Sequence, residues 1–225
     1  MAVYLLMPLT DTFFGEGVSP LVLFGVMIGS YFLGCFATGY YLVRFRDGRD
    51  VRQLGSGSTG GRNVGRILGP TGFLLTVAGD VAKGAIAVGV ARALTGNDSV
   101  ALLALLAVVA GHIWPVQLGC RGGKGVATSL AGLLAWDWQV ALIFCVVYAA
   151  GCSLTRKSVA SSLVAYAMLP AGVFWLGRST PDLCGISILA GVVILAHYRN
   201  MAEGIHELML HRRIAPETEQ SVKDL

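Results

Sequence analysis

The sequence predicts an all-α integral membrane protein of about seven transmembrane helices, its N-terminus outside and its C-terminus in the cytoplasm. Three observations predict it. Of 225 residues, 55% are hydrophobic and 13% charged, about half the ~25% charge of a soluble domain. Apolar stretches approaching the ~20 residues that cross a bilayer recur at about 20–43, 70–92, 99–118, 124–136, 139–154, 159–177 and 183–198. The connections between them alternate in charge in the way that the positive-inside rule reads as topology.

Taken in order, residues 1–19 have no Lys or Arg ahead of their apolar part, so they lack the start of a secretory signal. They are expected to form an outside or interfacial segment. The span at 20–43 carries Gly25 and Gly29, a G-x-x-x-G pair suited to helix packing within the chain or in a dimer. The 44–66 loop holds Arg44, Arg46, Arg49, Arg52, Arg62 and Arg66. In the 70–92 span Asp80 and Lys83 stand at i, i+3, roughly 15 Å in at ~1.5 Å per residue. Charges at such depth pair and serve function; an intrahelical structural pair is the expectation, with support of the substrate site as the alternative and His112 a helix-end hydrogen bonder. The turns at 119–124 and 155–158 add Arg121, Lys124, Arg156 and Lys157, and the tail adds Arg199, Arg212, Arg213 and Lys223. The opposite side has Arg92 and Arg178 among Asp11, Glu16, Asp98, Asp137 and Asp182. Residues 20–200 therefore read as one membrane domain, followed by a polar cytoplasmic tail at 201–225. Five cysteines without a C-x-x-C are expected to be small apolar packers.

Four polar constellations fall on the basic side. The first is LGSGSTGGRNVGRILG, Leu54 to Gly69, in which Gly55, Gly57 and Gly60 spell G-x-G-x-x-G. A dinucleotide fingerprint must follow a strand and open a helix; here a membrane helix and an arginine-rich loop precede it, so the nucleotide reading fails. A phosphate cradle or a basic, lipid-touching loop both remain open. Glycines let backbone N–H groups converge on an anion, Ser56, Ser58 and Thr59 add hydroxyls, and Asn63 and Arg66 lie where a helix begins. The second is GCRGGKGVATSL, with Gly122, Gly123, Gly125, Lys124, Thr128 and Ser129. It is not a Walker A loop, because Leu118 stands where that motif needs Gly; it reads as a cradle or as a tight inter-span turn. The third is Ser158, Ser161 and Ser162 on one helix face, suited to a ligand or to helix packing. The fourth is His197 and Asn200, at i, i+3 on the last span. All four meet at one membrane boundary, which suits a phosphorylated substrate with a lipid or acyl part.

With these residues in view, the chain resembles the bacterial acyl-phosphate:glycerol-3-phosphate acyltransferase family (PlsY), from about Gly25 to about Leu210. The matching pieces are GSG with N-V-x-R in Gly55–Arg66, DVAKGA at Asp80–Ala85, GHIWPVQL at Gly111–Leu118, GGKGVAT at Gly122–Thr128, TR…SS at Thr155–Ser162 and H-x-x-N at His197–Asn200. The resemblance implies a seven-helix fold in the bacterial inner membrane with its active site at the cytosolic face. It implies acyl transfer from acyl phosphate to glycerol 3-phosphate, giving lysophosphatidate and phosphate without acyl-CoA, metal or other cofactor. It assigns phosphate clamping to Lys124 and Arg66, cradling to Gly122, Gly123 and Gly125, and acceptor orientation to Ser56, Ser161, Ser162, His197 and Asn200. Gly57, Ser58, Gly60, Asn63 and Thr128 complete the expected substrate site. His197 is the group that titrates near neutrality among the four motifs, hence a general base or a hydrogen-bond partner.

The family loop reads GSGNPGATN; here Ser58-Thr59 replaces Asn-Pro and Gly61-Arg62 replaces Ala-Thr. Loss of the Pro is expected to loosen the turn, and Arg62 adds charge beside the phosphate. The chain has no G-x-S-x-G elbow, no H-x4-D pair and no H-E-x-x-H, so covalent serine and metal routes are not expected. The expected partners are the bilayer, acyl phosphate and glycerol 3-phosphate, with no nucleic acid. The rivals are a transporter of an organic phosphate and a non-catalytic membrane homologue.

Overall fold

The computed structural model describes residues 18–197. Eight helices follow one another: α1 Pro20–Cys35, α2 Thr38–Asp47, α3 Gly61–Thr95, α4 Asp98–Ile113, α5 Val126–Trp136, α6 Trp138–Thr155, α7 Ser158–Trp175 and α8 Thr180–His197. Short 3-10 turns at Val51–Gln53 and Val116–Leu118 lie in the connections. α1 and α2 together form one apolar span, broken at Phe36–Ala37.

Among the described residues, six helical segments are long and apolar enough to cross a membrane. The seventh expected span is shorter: α5 has 11 residues, about 16 Å at 1.5 Å per residue, where a bilayer core needs ~30 Å. Its C-terminal end is held where α3 ends and α4 begins. Arg92 donates to Ala135 O (2.6 Å) and Trp136 O (2.7 Å), and the Trp136 indole donates to Asp98 O (3.0 Å). Its N-terminal end therefore stops about midway. Residues 114–125 fill the remaining depth with irregular backbone that satisfies itself: Leu118 N and Cys120 N donate to Pro115 O, Gly119 N to Val116 O, Gly122 N to Ile113 O and Gly123 N to His112 O. Non-helical chain is tolerated within a membrane where its polar groups find such partners.

A second inward-folded piece lies at the start of α3. Gly69 (φ 73°, ψ −168°) before Pro70 breaks the helix, because Pro cannot continue the hydrogen-bond ladder. The 61–68 segment then runs back along 70–77: a Cβ at Gly61 would lie 2.7 Å from Val77 Cγ2, and one at Gly72 2.6 Å from Leu68 Cβ. The glycine-rich 55–60 loop thus sits about 10 Å from the bend, seven residues at 1.5 Å each, folded back along the start of the long helix.

α4 lies at the centre. Between Ser99 and His112 it has no polar side chain, and a helix apolar all round is a buried one. Val100, Leu105, Val108 and Val109 are fully buried beside Leu133, Phe144, Tyr166 and Leu169. Close crossings use glycine: a Cβ at Gly34 would lie 2.1 Å from Val108 O, and one at Gly84 2.1 Å from Thr128 O. Small residues at such contacts are how membrane helices gain packing where lipid removes the hydrophobic drive.

Candidate active site

Alternation of the helices sorts their N-termini onto two faces. At the far face the N-termini of α4, α6 and α8 are capped by side chains. Asn97 accepts from Ser99 N and Val100 N for α4, Asp137 from Gln139 N and Val140 N for α6, and Ser179 and Asp182 bond reciprocally for α8. The far-face arginines are also paired, Arg92 with Asp98 (2.6 Å) and Arg178 with Asp137 (2.8 Å). The near-face starts of α3, α5 and α7 have no side-chain cap and no acidic residue in the first turn. Their orphan N–H groups stay open to a ligand.

These three N-termini converge. Thr59 N donates to Gly122 O (3.4 Å), joining the loop before α3 to the loop before α5. The Arg62 guanidinium donates to Ser158 Oγ, joining α3 to α7. Lys124 is half-buried, and burial first, then the nearby Arg62 and Arg66, holds its ammonium below the ordinary lysine range. Lys124 and Arg62 also act electrostatically on His197. None of Arg62, Arg66 and Lys124 has a carboxylate partner among the described residues. The arrangement gathers three cations and three uncapped helix N-termini, a chemistry suited to an anion.

The glycine loop owes its shape to Asn63. This residue is buried, and its amide donates to Val51 O (3.3 Å), Leu54 O (2.8 Å) and Ser58 O (2.9 Å) while its carbonyl accepts from Ser56 N (2.9 Å). Those bonds use its side chain fully. Asn63, expected in the substrate site, braces the loop instead of offering a free group. Gly55 (φ 58°) and Gly57 (φ 67°) take left-handed conformations that favour glycine. Ser58 Oγ accepts from Gly60 N (3.2 Å), so a side-chain bond closes the turn that loses its proline, and the expected loosening is not seen. Ser56 is exposed, with its hydroxyl unbonded among the described residues.

The expectation that the Gly122 and Gly123 amides cradle phosphate is corrected in part. Both donate to the last carbonyls of α4, groups that a helix leaves orphaned. The glycines dock the loop, and the open amides are those that follow at the start of α5, after Gly125 (φ 83°). Thr128 is fully buried in the α3–α5 crossing, its hydroxyl unpartnered. Ser161 Oγ donates to Lys157 O (3.0 Å) and Ser162 Oγ to Val159 O (2.8 Å). With their protons used, these hydroxyls are left as acceptors. His197 is buried and its Nδ1 donates to Val193 O (2.8 Å), since a carbonyl can only accept; this leaves Nε2 as an acceptor in the neutral ring. Asn200 lies outside the described residues. No group of three metal-ligating side chains occurs among the described residues.

The model of the glycerol-3-phosphate acyltransferase family matches residues 24–207. The chain belongs to this family. It is 42% identical over 188 residues to glycerol-3-phosphate acyltransferase 1 of Desulfitobacterium hafniense (strain Y51), covering 84% of this chain and 93% of that one. It is 38% identical over 210 residues to glycerol-3-phosphate acyltransferase of Cereibacter sphaeroides (strain ATCC 17025 / ATH 2.4.3), covering 92% of each. Two crystal structures of PlsY (YgiH), an integral membrane glycerol 3-phosphate acyltransferase, share the fold. The glycerol 3-phosphate form has a TM-score of 0.74 at 30% identity, covering 82% of this chain and 92% of that one, and the lysophosphatidic acid form has a TM-score of 0.71 at 29% identity with the same coverage. The chain is thus a multi-pass membrane acyltransferase of glycerol 3-phosphate, as the resemblance implied.

Sequence reasoning placed Ser56, Arg66, Lys124 and His197 near one boundary. It gave Arg62 no role beyond added charge, and took His112 as separate from the Asp80–Lys83 pair. The signal for Arg62 was its spacing: it opens α3 one turn before Arg66. The signal for His112 was absent, because its link to Asp80 spans 32 residues.

Proposed function

We propose that the protein transfers a fatty acyl group from acyl phosphate to the sn-1 hydroxyl of glycerol 3-phosphate, at the cytoplasmic face of a bacterial inner membrane. The observation that carries the donor assignment is charge. Arg62, Arg66 and Lys124 supply three positive charges, and three uncapped N-termini add roughly +0.5 each, for about +4.5. One phosphate monoester brings about −1.5 to −2. Two phosphates balance the site; a thioester, whose phosphates lie far from its acyl carbon, leaves about half of that charge uncompensated beside the reacting atoms.

In this reading the N-termini and cations hold both phosphates, with Lys124 at their centre, and Ser56, Ser161, Ser162 and His197 orient the acceptor. The acceptor hydroxyl oxygen bonds to the acyl carbon, and the bond from that carbon to the phosphate oxygen breaks. Inorganic phosphate leaves with the electron pair, and the hydroxyl proton passes to His197 Nε2 or to the departing phosphate. Phosphate is already a good leaving group, so positioning and electrostatics supply much of the rate.

The test uses purified protein in lipid with glycerol 3-phosphate and either palmitoyl phosphate or palmitoyl-CoA, following lysophosphatidate and phosphate. Turnover is expected with palmitoyl phosphate alone and is lost in Lys124→Ala. Turnover with palmitoyl-CoA overturns the donor assignment. Absence of turnover with either donor, with glycerol 3-phosphate entering sealed vesicles, makes the protein a transporter.

A further inference from the structure

Beneath the anion site lies a buried charged chain that the proposed chemistry does not use. Asp80, Lys83 and His112 are each 3% exposed. Lys83 Nζ donates to Asp80 Oδ1 (2.9 Å), Phe36 O (3.1 Å) and Gly34 O (3.3 Å). Its three protons are thereby used, two of them at the break between α1 and α2. His112 Nδ1 stands 3.4 Å from Asp80 Oδ1, without a hydrogen bond of normal geometry. The other edge of the ring abuts Gly123, where a Cβ would lie 2.1 Å from Nε2 and 2.6 Å from Cε1. Gly122 N and Gly123 N bond the same last turn of α4, at Ile113 O and His112 O. The intrahelical pair foreseen at Asp80 and Lys83 therefore extends through His112 to the backbone one residue before Lys124.

A buried ionic cluster is a poor route to stability: well-packed apolar groups do as well or better. Inside a membrane such groups are costly and mark function. Buried polar atoms with imperfect partners call for the same kind of explanation. The contact at Gly123 supplies one. The ring cannot move toward the loop, nor the loop toward the ring, without a clash.

We propose that His112, braced by Asp80 and Lys83, is a positioning residue: its ring is the strut that sets the height of the 122–125 loop, and hence where Lys124 and the α5 amides meet the substrate phosphate. The proposal rests on the acyltransferase reading for its kinetic arm only.

His112→Asn keeps a donor toward Asp80 but removes the ring edge against Gly123. It is expected to raise the KM for the phosphorylated substrates about tenfold or more, with a far smaller change in kcat. Gly123→Ala keeps the buried charges and pushes the loop outward; it is expected to lose at least 100-fold in kcat/KM. In the double variant the new methyl occupies space that the ring vacated, so activity returns at least tenfold above Gly123→Ala. Hydrogen exchange of the Gly122 and Gly123 amides is expected to quicken in His112→Asn and to return toward wild type in the double variant. Losses that simply multiply in the double variant, or wild-type exchange in His112→Asn, overturn the proposal. Should His112→Asn not fold, Gly123→Ala decides alone: a cooperative thermal transition with unchanged turnover overturns it. If the wild type shows no acyl transfer, the proposed function falls, while the exchange measurements still judge the strut.

Discussion

Asn63→Ala tests whether one buried side chain organises the substrate loop. Asn63 makes four hydrogen bonds to the 51–58 backbone at 2.8–3.3 Å. A typical hydrogen bond is worth about 0.5–1.5 kcal/mol net, and more when its loss leaves a buried partner unsatisfied. Alanine leaves Ser58 O and Ser56 N unpaired, while Val51 O and Leu54 O keep only their bonds from Leu54 N and Gly57 N, so about 3 kcal/mol of loop order is lost. At about 1.4 kcal/mol per factor of ten, that is a ~100-fold fall in kcat/KM for glycerol 3-phosphate. The loss falls on the loop, because Val43, Val51 and Val64 form a small cluster apart from the main core. The thermal midpoint in detergent is therefore expected to drop by only a few degrees. Asn63→Asp serves as the control: it keeps the acceptor for Ser56 N and turns a carboxylate oxygen toward three carbonyls, so it is expected to do at least as badly. Initial rates of lysophosphatidate formation measure the effect. A kcat/KM within threefold of wild type in Asn63→Ala would refute the reasoning.

Further outcomes follow from the charge and packing. Arg62→Ala frees Ser158 and removes one cation from the site; the KM for the phosphorylated substrates is expected to rise about 5- to 50-fold, and an unchanged KM shows that Arg62 serves only the surface. Because burial, Arg62 and Arg66 hold Lys124 below the ordinary lysine range, its ammonium is lost at lower pH than usual, and substrate affinity falls along that alkaline limb. Arg66→Gln removes a repelling cation and is expected to move the limb to higher pH; a limb that stays put assigns it to another group. The stability sign is the reverse of that for a paired lysine. A lowered folded pKa makes charged Lys124 a cost below that pKa, relieved as pH rises toward the unfolded value, so thermal stability gains from this group on the alkaline side. Gly84→Val would place Cβ 2.1 Å from Thr128 O; overpacking of this kind costs about 1–3 kcal/mol or more, seen as a lowered thermal midpoint, and an unaltered midpoint would contradict the tight α3–α5 crossing.

The all-helical membrane character was legible in the chain itself, because a bilayer demands long apolar runs with their backbone bonds made internally. The basic clustering of Arg62, Arg66 and Lys124, and the glycine-rich turns beside them, were legible for the same reason: local composition sets what a loop can hold. Sequence spacing alone did not show that residues 55–60 and 114–125 fold inward, since Gly69–Pro70 marks a break but not the direction the chain takes after it. Only packing decided that. It aligned 61–68 against 70–77, stopped α5 midway, used the Gly122 and Gly123 amides on α4, and left the N-termini of α3, α5 and α7 open side by side. Likewise, Asp80 and Lys83 announce a pair through their i, i+3 spacing, but His112 joins them only across a helix crossing. The physical reason is range: periodicity and charge report neighbours within a turn or two, while a cluster of cations and open helix N-termini is made where chain segments distant in sequence are brought into contact.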